Sequence, residues 1–399
     1  MKKILSFFLT IVLILSFGSM ISLIVGIKKP DKKDDSLSEN PIVLGVSGIG
    51  GTTINLQRTD DSVGLNYFSE DYNELGSRIV SDFDDFYPYS DITKVSDPNG
   101  NVFVKIPKFY SRLSQNLDGT TKLQICKEPL DGFSTLFIDG NGNELDYILV
   151  GAYESSGSSS QLFSKSGNFK PAVSLSLEEC RQASCINGTN YQQFDYLTLS
   201  IINQLFTVEF AVMDSQLVFR GNVDRKTITN CGSTDILPFD SGFLTTGEFK
   251  YRGIENYFGN SWTLVDGILY NELEVWVSFN PSSYTSVLYD SDYIRLPFDR
   301  ASKGGVYFSL KLFDENSSFF FPCYDQVFSN SRGFGDYNVQ CNTVDGQVVY
   351  GEVIAFGGTS NYGDRAGIWC MYGDIVASYK NNYYGSRLVY KPINNFIEI

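Results

Sequence analysis

The segment from Tyr251 to Ile268, YRGIENYFGNSWTLVDGI, constrains the fold of this chain more than any other. It sets Gly253, Gly259 and Gly267 among aromatic residues and single Arg, Glu and Asp side chains. A sharply bent backbone needs glycine, and the polar groups buried in the bends need partners. The combination predicts irregular structure held rigidly, with Arg252, Glu255, Asn256, Trp262 and Asp266 in structural roles. Two distant segments share the character: FGGTS at Phe356–Ser360, with Gly357 and Gly358, and GSRLVY at Gly385–Tyr390, with Arg387.

Composition supports a large β-leaning body. The 399 residues are 42% hydrophobic and 15% aromatic with 36 glycines, and only 19% are charged, so a sizeable core can form. Length alone permits two or three domains. The low-complexity stretch at Ser155–Ser160 is short enough for a surface loop, which favours one large domain with an N-terminal extension. The expected organisation is a membrane anchor or signal segment at 1–27, a polar linker at 28–40, an N-terminal β extension at 41–82 and the main domain at 83–399.

Histidine is absent, which removes Ser-His-Asp and Cys-His catalysis and most imidazole-dependent zinc and copper sites. The net charge of −15 argues against a nucleic-acid partner, because phosphate binding needs a clustered basic surface. Lys2 and Lys3 precede an uncharged run from Ile4 to Ile27, closed by the lysine-rich stretch from Lys28. At about 24 residues it exceeds the ~7–15 of a signal-peptide core and reaches the ~20 that span a bilayer, so an uncleaved anchor is expected. Ser16 and Gly18 keep a cleaved, secreted product open. Either way the acidic body is expected outside the cell.

Past the linker, Ile42–Val46 and the glycine turn at Gly48–Thr53 predict a strand and hairpin; no Gly-Lys-Ser/Thr ending follows, so this is not a phosphate loop. Strand-like runs recur at Phe103–Ile106, Ser134–Ile138 and Tyr147–Ala152, with turns at Asp97–Gly100 and Asp139–Gly142. Tyr191, Phe194, Leu197, Ile201, Leu205 and Val208 recur three or four apart and predict an amphipathic helix to Glu209, capped by Thr189 or Asn190. A shorter helix is expected before it, capped by Ser176, with Glu178 and Glu179 in its first turn and an end near Cys185.

Several motifs in order resemble one family. They are FDDFYPYS at Phe83–Ser90, VFVKIPKFY at Val102–Tyr110, ILVGAYE at Ile148–Glu154, KPAVS at Lys170–Ser174, YQQFDY at Tyr191–Tyr196, LFTVEF at Leu205–Phe210 and DSQ at Asp214–Gln216, followed by the three segments above. Together they resemble the C-type-lectin-like fold in its formylglycine-generating-enzyme branch, and most closely its phage tail proteins and the variable proteins of diversity-generating retroelements. The resemblance implies an α+β domain with two helices against short, twisted strands and much irregular structure.

It also implies candidate functions. The enzymes of the branch bind copper through two cysteines late in the chain. Here Cys370 stands alone in the C-terminal segment and Cys341 lies well before it, so oxidase activity is the weaker alternative and no cofactor is expected. The seven cysteines leave two readings open, disulfides such as Cys180–Cys185 or Cys323–Cys341, and buried free thiols. Arg252, Glu255, Asp266 and Arg387 supply no obvious nucleophile or metal, which favours hydrogen bonding to turns over acid–base chemistry. Asp139, Asn141, Asn143 and Glu144 are oxygen-rich, but their spacing completes no calcium motif and favours a plain turn.

The segment from Thr359 to Tyr384 is where ligand binding is expected. It carries Asn361, Tyr362, Asp364, Arg365, Trp369, Met371, Tyr372, Asp374, Tyr379, Asn381, Asn382, Tyr383 and Tyr384. Tyrosine and tryptophan give large contact area with few rotatable bonds, while Asn and Asp give adaptable hydrogen bonds. In the retroelement targets this stretch is the displayed, diversified face, where adenine-directed changes at Asn codons yield Tyr, Asp and Ser. The expected function is therefore a non-catalytic adhesin or receptor-binding protein for a cell-surface or extracellular protein or glycan. A phage tail component is the alternative reading. An ordinary loop also stands open, since the chain has 25 tyrosines.

Overall fold

The computed structural model describes residues 40–51, 53–72, 76–243, 246–271, 274–286, 288, 292–299, 307–312, 320–326 and 352–392. The expected anchor at 1–27 lies outside the described residues, as does the linker at 28–40 apart from Asn40. Among the described residues no helix is long and apolar enough to cross a membrane. The chain divides at Pro41, and residues 42–399 form the unit discussed below.

That unit is α+β, and among its described residues short strands form several small sheets beside two α-helices. One four-stranded antiparallel sheet orders its strands Gln57–Asp60, Val43–Ile49, Thr121–Cys126 and Tyr110–Gln115. A five-stranded sheet runs Tyr191–Gln193, Leu388–Tyr390, Tyr147–Gly151, Val102–Pro107 and Thr93–Ser96. A second runs Ile254–Glu255, Phe249–Tyr251, Ser241–Phe243, Gly76–Ser81 and Tyr67–Tyr72. The segment at 41–82 thus pairs directly with residues of the 83–399 region, Val43–Ile49 with Thr121–Cys126 and Gly76–Ser81 with Ser241–Phe243. The largest sheet orders Ile294–Asp299, Glu274–Val277, Trp262–Asn271, Glu352–Phe356 and Met371–Val376, and Tyr384–Gly385 pairs in parallel with the start of its central strand.

Helix α1, Leu177–Cys185, forms as its sequence predicts. The Ser176 hydroxyl accepts the Glu179 N–H at 3.3 Å, and the Glu179 carboxylate accepts the Ser176 N–H at 3.0 Å. This capping box satisfies two groups that a helix start otherwise leaves unpaired. Ser176→Ala is expected to lower the unfolding free energy by about 1 kcal/mol, read from the shift in a urea unfolding curve.

Helix α2 corrects the expectation. It spans Tyr196–Phe210 and is capped by Asp195, whose carboxylate accepts the Thr198 N–H at 2.9 Å, rather than by Thr189 or Asn190. Tyr191–Gln193 is extended because it pairs with Leu388–Tyr390, a partner almost 200 residues away that local periodicity cannot reveal. Nor is α2 amphipathic, since all 15 of its residues are buried. Several of its polar side chains find partners: Asn203 donates to the Ile368 carbonyl at 2.7 Å and accepts the Tyr257 hydroxyl at 2.8 Å, and the Ser200 and Thr207 hydroxyls donate to the carbonyls of Tyr196 and Asn203 at 2.7 Å. Around its C-terminal half Phe206 packs against Phe210 and Tyr251 with ring centroids 4.6 and 5.0 Å apart.

Two smaller expectations also change or resolve. Ser134–Ile138 is not a strand, holding only single bridges at Ser134 and Ile138. The oxygen-rich loop is a turn closed on itself: Asp139 accepts the N–H groups of Asn141 and Asn143 at 2.8 and 2.9 Å and the Asn143 side-chain amide at 3.0 Å. Glu144 is engaged by the Tyr110 hydroxyl at 2.6 Å and by Lys108 at 3.1 Å.

Candidate functional site

The polar residues of the central signature lie inside the unit and hold its turns. Arg252 has φ 48° and is 4% exposed. Its Nε reaches the Glu209 carboxylate at 3.1 Å, one Nη bonds the same carboxylate, and the other reaches Asp84 at 2.6 Å. Glu255 accepts the N–H groups of Gly232 and Thr234 at 2.9 and 2.8 Å and the Thr234 hydroxyl at 2.6 Å. Asn256, φ 45°, accepts the Phe249 N–H at 3.3 Å. Asp266 binds the Arg181 guanidinium through two bonds, 2.8 and 2.9 Å. Arg387 donates to the carbonyls of Gly151, Glu255 and Asn256 at 2.9, 2.8 and 3.2 Å, tying the C-terminal segment to two other parts of the chain.

A further buried polar group carried no local signal in the sequence. The Glu154 carboxylate accepts the Ser261 N–H at 3.2 Å and is also bonded by the Ser261 hydroxyl and the Asn260 amide. Asn260 in turn accepts the Asn222 amide at 2.7 Å and the Thr229 N–H at 2.8 Å. Burial pushes the Glu154 carboxyl up to about 7, against the opposing charge of Arg387.

The segment expected to bind ligand leaves the scaffold at Gly357 and Gly358, where φ is 93° and 84°. A Cβ on Gly358 would stand 2.6 Å from that of Ala366, so only glycine fits this close approach. The loop that follows is anchored from beneath. Ser360 N–H donates to the Asn260 carbonyl at 2.9 Å, Gly363 N–H to Val223 at 2.9 Å, and the Gln216 amide to Gly363 and Ala366 at 3.1 and 2.9 Å. Asn361, Asp364 and Arg365 are exposed on its outer side.

Trp262 gathers the aromatic residues. Its ring lies 4.9 Å from Tyr362 edge-on, 5.9 Å from Tyr372 and 6.4 Å from Tyr384 in a stacked pose, and Tyr379 meets Tyr384 at 5.8 Å. Tyr362, Tyr372 and Tyr383 are half-buried and pack against the cluster that holds Trp262 and Tyr384, and Tyr379 is 45% exposed, so the four edge an aromatic ledge beside Trp262. The Arg365 guanidinium sits 4.3 Å over the Tyr362 ring. Asn381 shapes the second loop, its side-chain oxygen accepting the Tyr383 N–H at 3.1 Å and its amide donating to the Tyr379 hydroxyl at 3.2 Å. Lys380 pairs with Glu179 of α1 at 2.6 Å, and Asn382 is exposed.

Three of the expected contact residues belong beneath this surface. Trp369 and Met371 are 1% and 2% exposed, and Tyr384 is 8% exposed. Met371 and Gly373 face inward and Tyr372 outward because side chains alternate along the strand Met371–Val376. Asp374 lies in that strand, and its side chain falls outside the described residues. Trp262, expected only in a structural role, borders the ledge.

The thiols are dispersed. Cys126, Cys180 and Cys231 are buried thiols outside any disulfide, Cys185 is an exposed one and Cys370 is buried, so Cys180 and Cys185 are not bonded to each other. The side chains of Cys323 and Cys341 lie outside the described residues. Among the described residues no group of three or more Cys, Asp or Glu side chains could hold a metal ion. No protein-family model matches the chain, and no curated protein matches its sequence.

Proposed function

We propose that this chain is a non-catalytic, surface-displayed ligand-binding protein whose C-type-lectin-like body, of the formylglycine-generating-enzyme type, presents a binding face for a cell-surface or extracellular protein or glycan. The observation that carries the reading is the ledge of Tyr362, Tyr372, Tyr379 and Tyr383 beside Trp262, rimmed by exposed Asn361, Asp364 and Asn382. Flat aromatic faces supply apolar contact at low entropic cost, and the rim supplies hydrogen bonds that discriminate between ligands. The loops are tied to the scaffold from below, so residues on the rim can change without disturbing the core.

That separation supports a diversified face. Sequencing the flanking DNA for a near-copy of the region encoding 355–390 that differs at adenines, beside a reverse transcriptase, tests diversification. Binding itself is tested by screening the full-length chain against arrays of glycans and extracellular proteins, then titrating each ligand found. Tyr379→Ala and Tyr362→Ala are expected to weaken binding roughly 10-fold or more, the effect of losing an aromatic anchor, with thermal unfolding of Tyr379→Ala unchanged. Undiminished affinity in both variants would remove the ledge as the binding site.

A further inference from the structure

The buried pair of Lys391 and Asp195 is set apart from the other ion pairs. Lys391 Nζ stands 2.5 Å from Asp195 Oδ2, with the two side chains 5% and 0% exposed. Among the described residues the other buried pairs, Arg252 with Glu209 and Asp240 and Arg181 with Asp266, use guanidinium groups, which are not amine nucleophiles. The other described lysine pairs, those of Lys108, Lys122 and Lys380, are open to solvent. Lys391–Asp195 therefore joins a primary amine to a carboxyl carbon where water is largely excluded.

The surroundings are arranged for acyl transfer. Asp195 Oδ1 accepts the Thr198 N–H at the start of α2 at 2.9 Å. Oδ2 accepts the Tyr284 hydroxyl at 2.8 Å and the Gln192 amide at 2.8 Å besides the lysine. Donors on both oxygens draw electron density from the carboxyl carbon and stabilise charge that builds up on oxygen when a nucleophile adds.

We propose that Lys391 and Asp195 form an intramolecular isopeptide bond. Within the ion pair a proton moves from the Lys391 ammonium to Asp195 Oδ2, leaving a neutral amine and a carboxylic acid, a state that burial brings closer in energy than it would be in water. The amine nitrogen adds to the carboxyl carbon, the bond from that carbon to Oδ2 breaks, and Oδ2 leaves as water with a proton from the nitrogen. Oδ1 stays as the amide carbonyl against Thr198 N–H. Ammonium plus carboxylate thus become amide plus one water, with no oxidant or cofactor. Burial pushes the Asp195 carboxyl up, but Lys391 and the other donors outweigh it and hold it below the usual range, so the neutral pair is a minor state. Fixed contact compensates, since well-oriented intramolecular reactions reach effective molarities of roughly 10⁵ M or more, and the bond has to form only once per chain. The product ties the start of α2 to the C-terminal segment across 196 residues of sequence.

Mass spectrometry of the folded full-length chain, followed by proteolytic digestion, tests the bond. The chain is expected to be lighter than its sequence by one water, and its digest to contain a branched peptide that joins the segments bearing Asp195 and Lys391. Lys391→Arg is expected to show its full sequence mass and no branched peptide. If that variant fails to fold, the branched peptide in the native chain still decides. The proposal is overturned if the native digest contains Asp195 and Lys391 only in linear peptides. It is equally overturned if the water loss persists in Lys391→Arg, which would place it at an Asp-Gly step such as Asp266–Gly267.

Discussion

Replacing Arg252 by methionine is expected to lower the unfolding free energy by about 3–5 kcal/mol, the scale for breaking a buried ion pair from one side. The guanidinium binds Glu209 through two of its nitrogens, its backbone N–H donates to Asp240, and its plane lies 5.1 Å over the Tyr89 ring. Methionine preserves much of the volume and removes the charge. Glu209, fully buried in α2, would then lose the cation that offsets its desolvation. The loss is read from guanidinium chloride unfolding curves. In the double variant Arg252→Met with Glu209→Met part of the stability is expected to return, because the deeply buried Glu209 no longer carries an unpaired charge, and the remainder stays lost because Asp84 and Asp240 still lack their cation. A double-mutant cycle separates this coupling from the packing change.

The second large effect is a fall in stability as pH rises from about 4.5 to about 7. Glu154 is fully buried, and burial pushes its carboxyl from an ordinary 4.5 up to about 7 in the folded protein. Between these values the folded chain binds the proton and the unfolded chain does not. The contribution is therefore complete below about 4.5 and is lost as pH rises through 7, amounting to about 3 kcal/mol at ~1.4 kcal/mol per unit. Asp240, also pushed up to about 7 by burial, acts in the same direction. Carboxylates held low, such as Glu144 by the Tyr110 hydroxyl and Lys108, have the opposite sign but contribute their change below about 4.5, outside this window. Denaturant unfolding at about pH 5 and pH 8 checks the slope, and Glu154→Gln is expected to flatten much of it.

What was legible in the sequence depended on how local its cause was. The Ser176 cap and the acidic first turn of α1 sit within four residues and are legible in the sequence, whereas the return bond from the Ser176 N–H to Glu179 emerges only in the structure. The start of α2 is not legible locally because Tyr191–Gln193 answers to the strand Leu388–Tyr390, whose pairing overrides the helical spacing of Tyr191 and Phe194. Glu154 gave no signal because its partners Asn260 and Ser261 lie more than 100 residues on. The aromatic and polar vocabulary of the last segment marked the right stretch, but composition cannot separate the two sides of a strand. Tyr372 and Met371 differ only in the direction that the pleat gives them. Trp262 reads as scaffold from its place in the central signature, and its ring contacts put it both in the core and beside the ledge.

Oxidative footprinting of the full-length chain with and without its ligand tests the ledge most directly. Tyr362, Tyr372 and Tyr379 are expected to lose reactivity when ligand is present, while exposed aromatic residues elsewhere, such as Phe68 and Tyr72, keep theirs. Protection confined to Phe68 and Tyr72, with Tyr379 unchanged, would contradict the account and move the binding face to another side of the molecule.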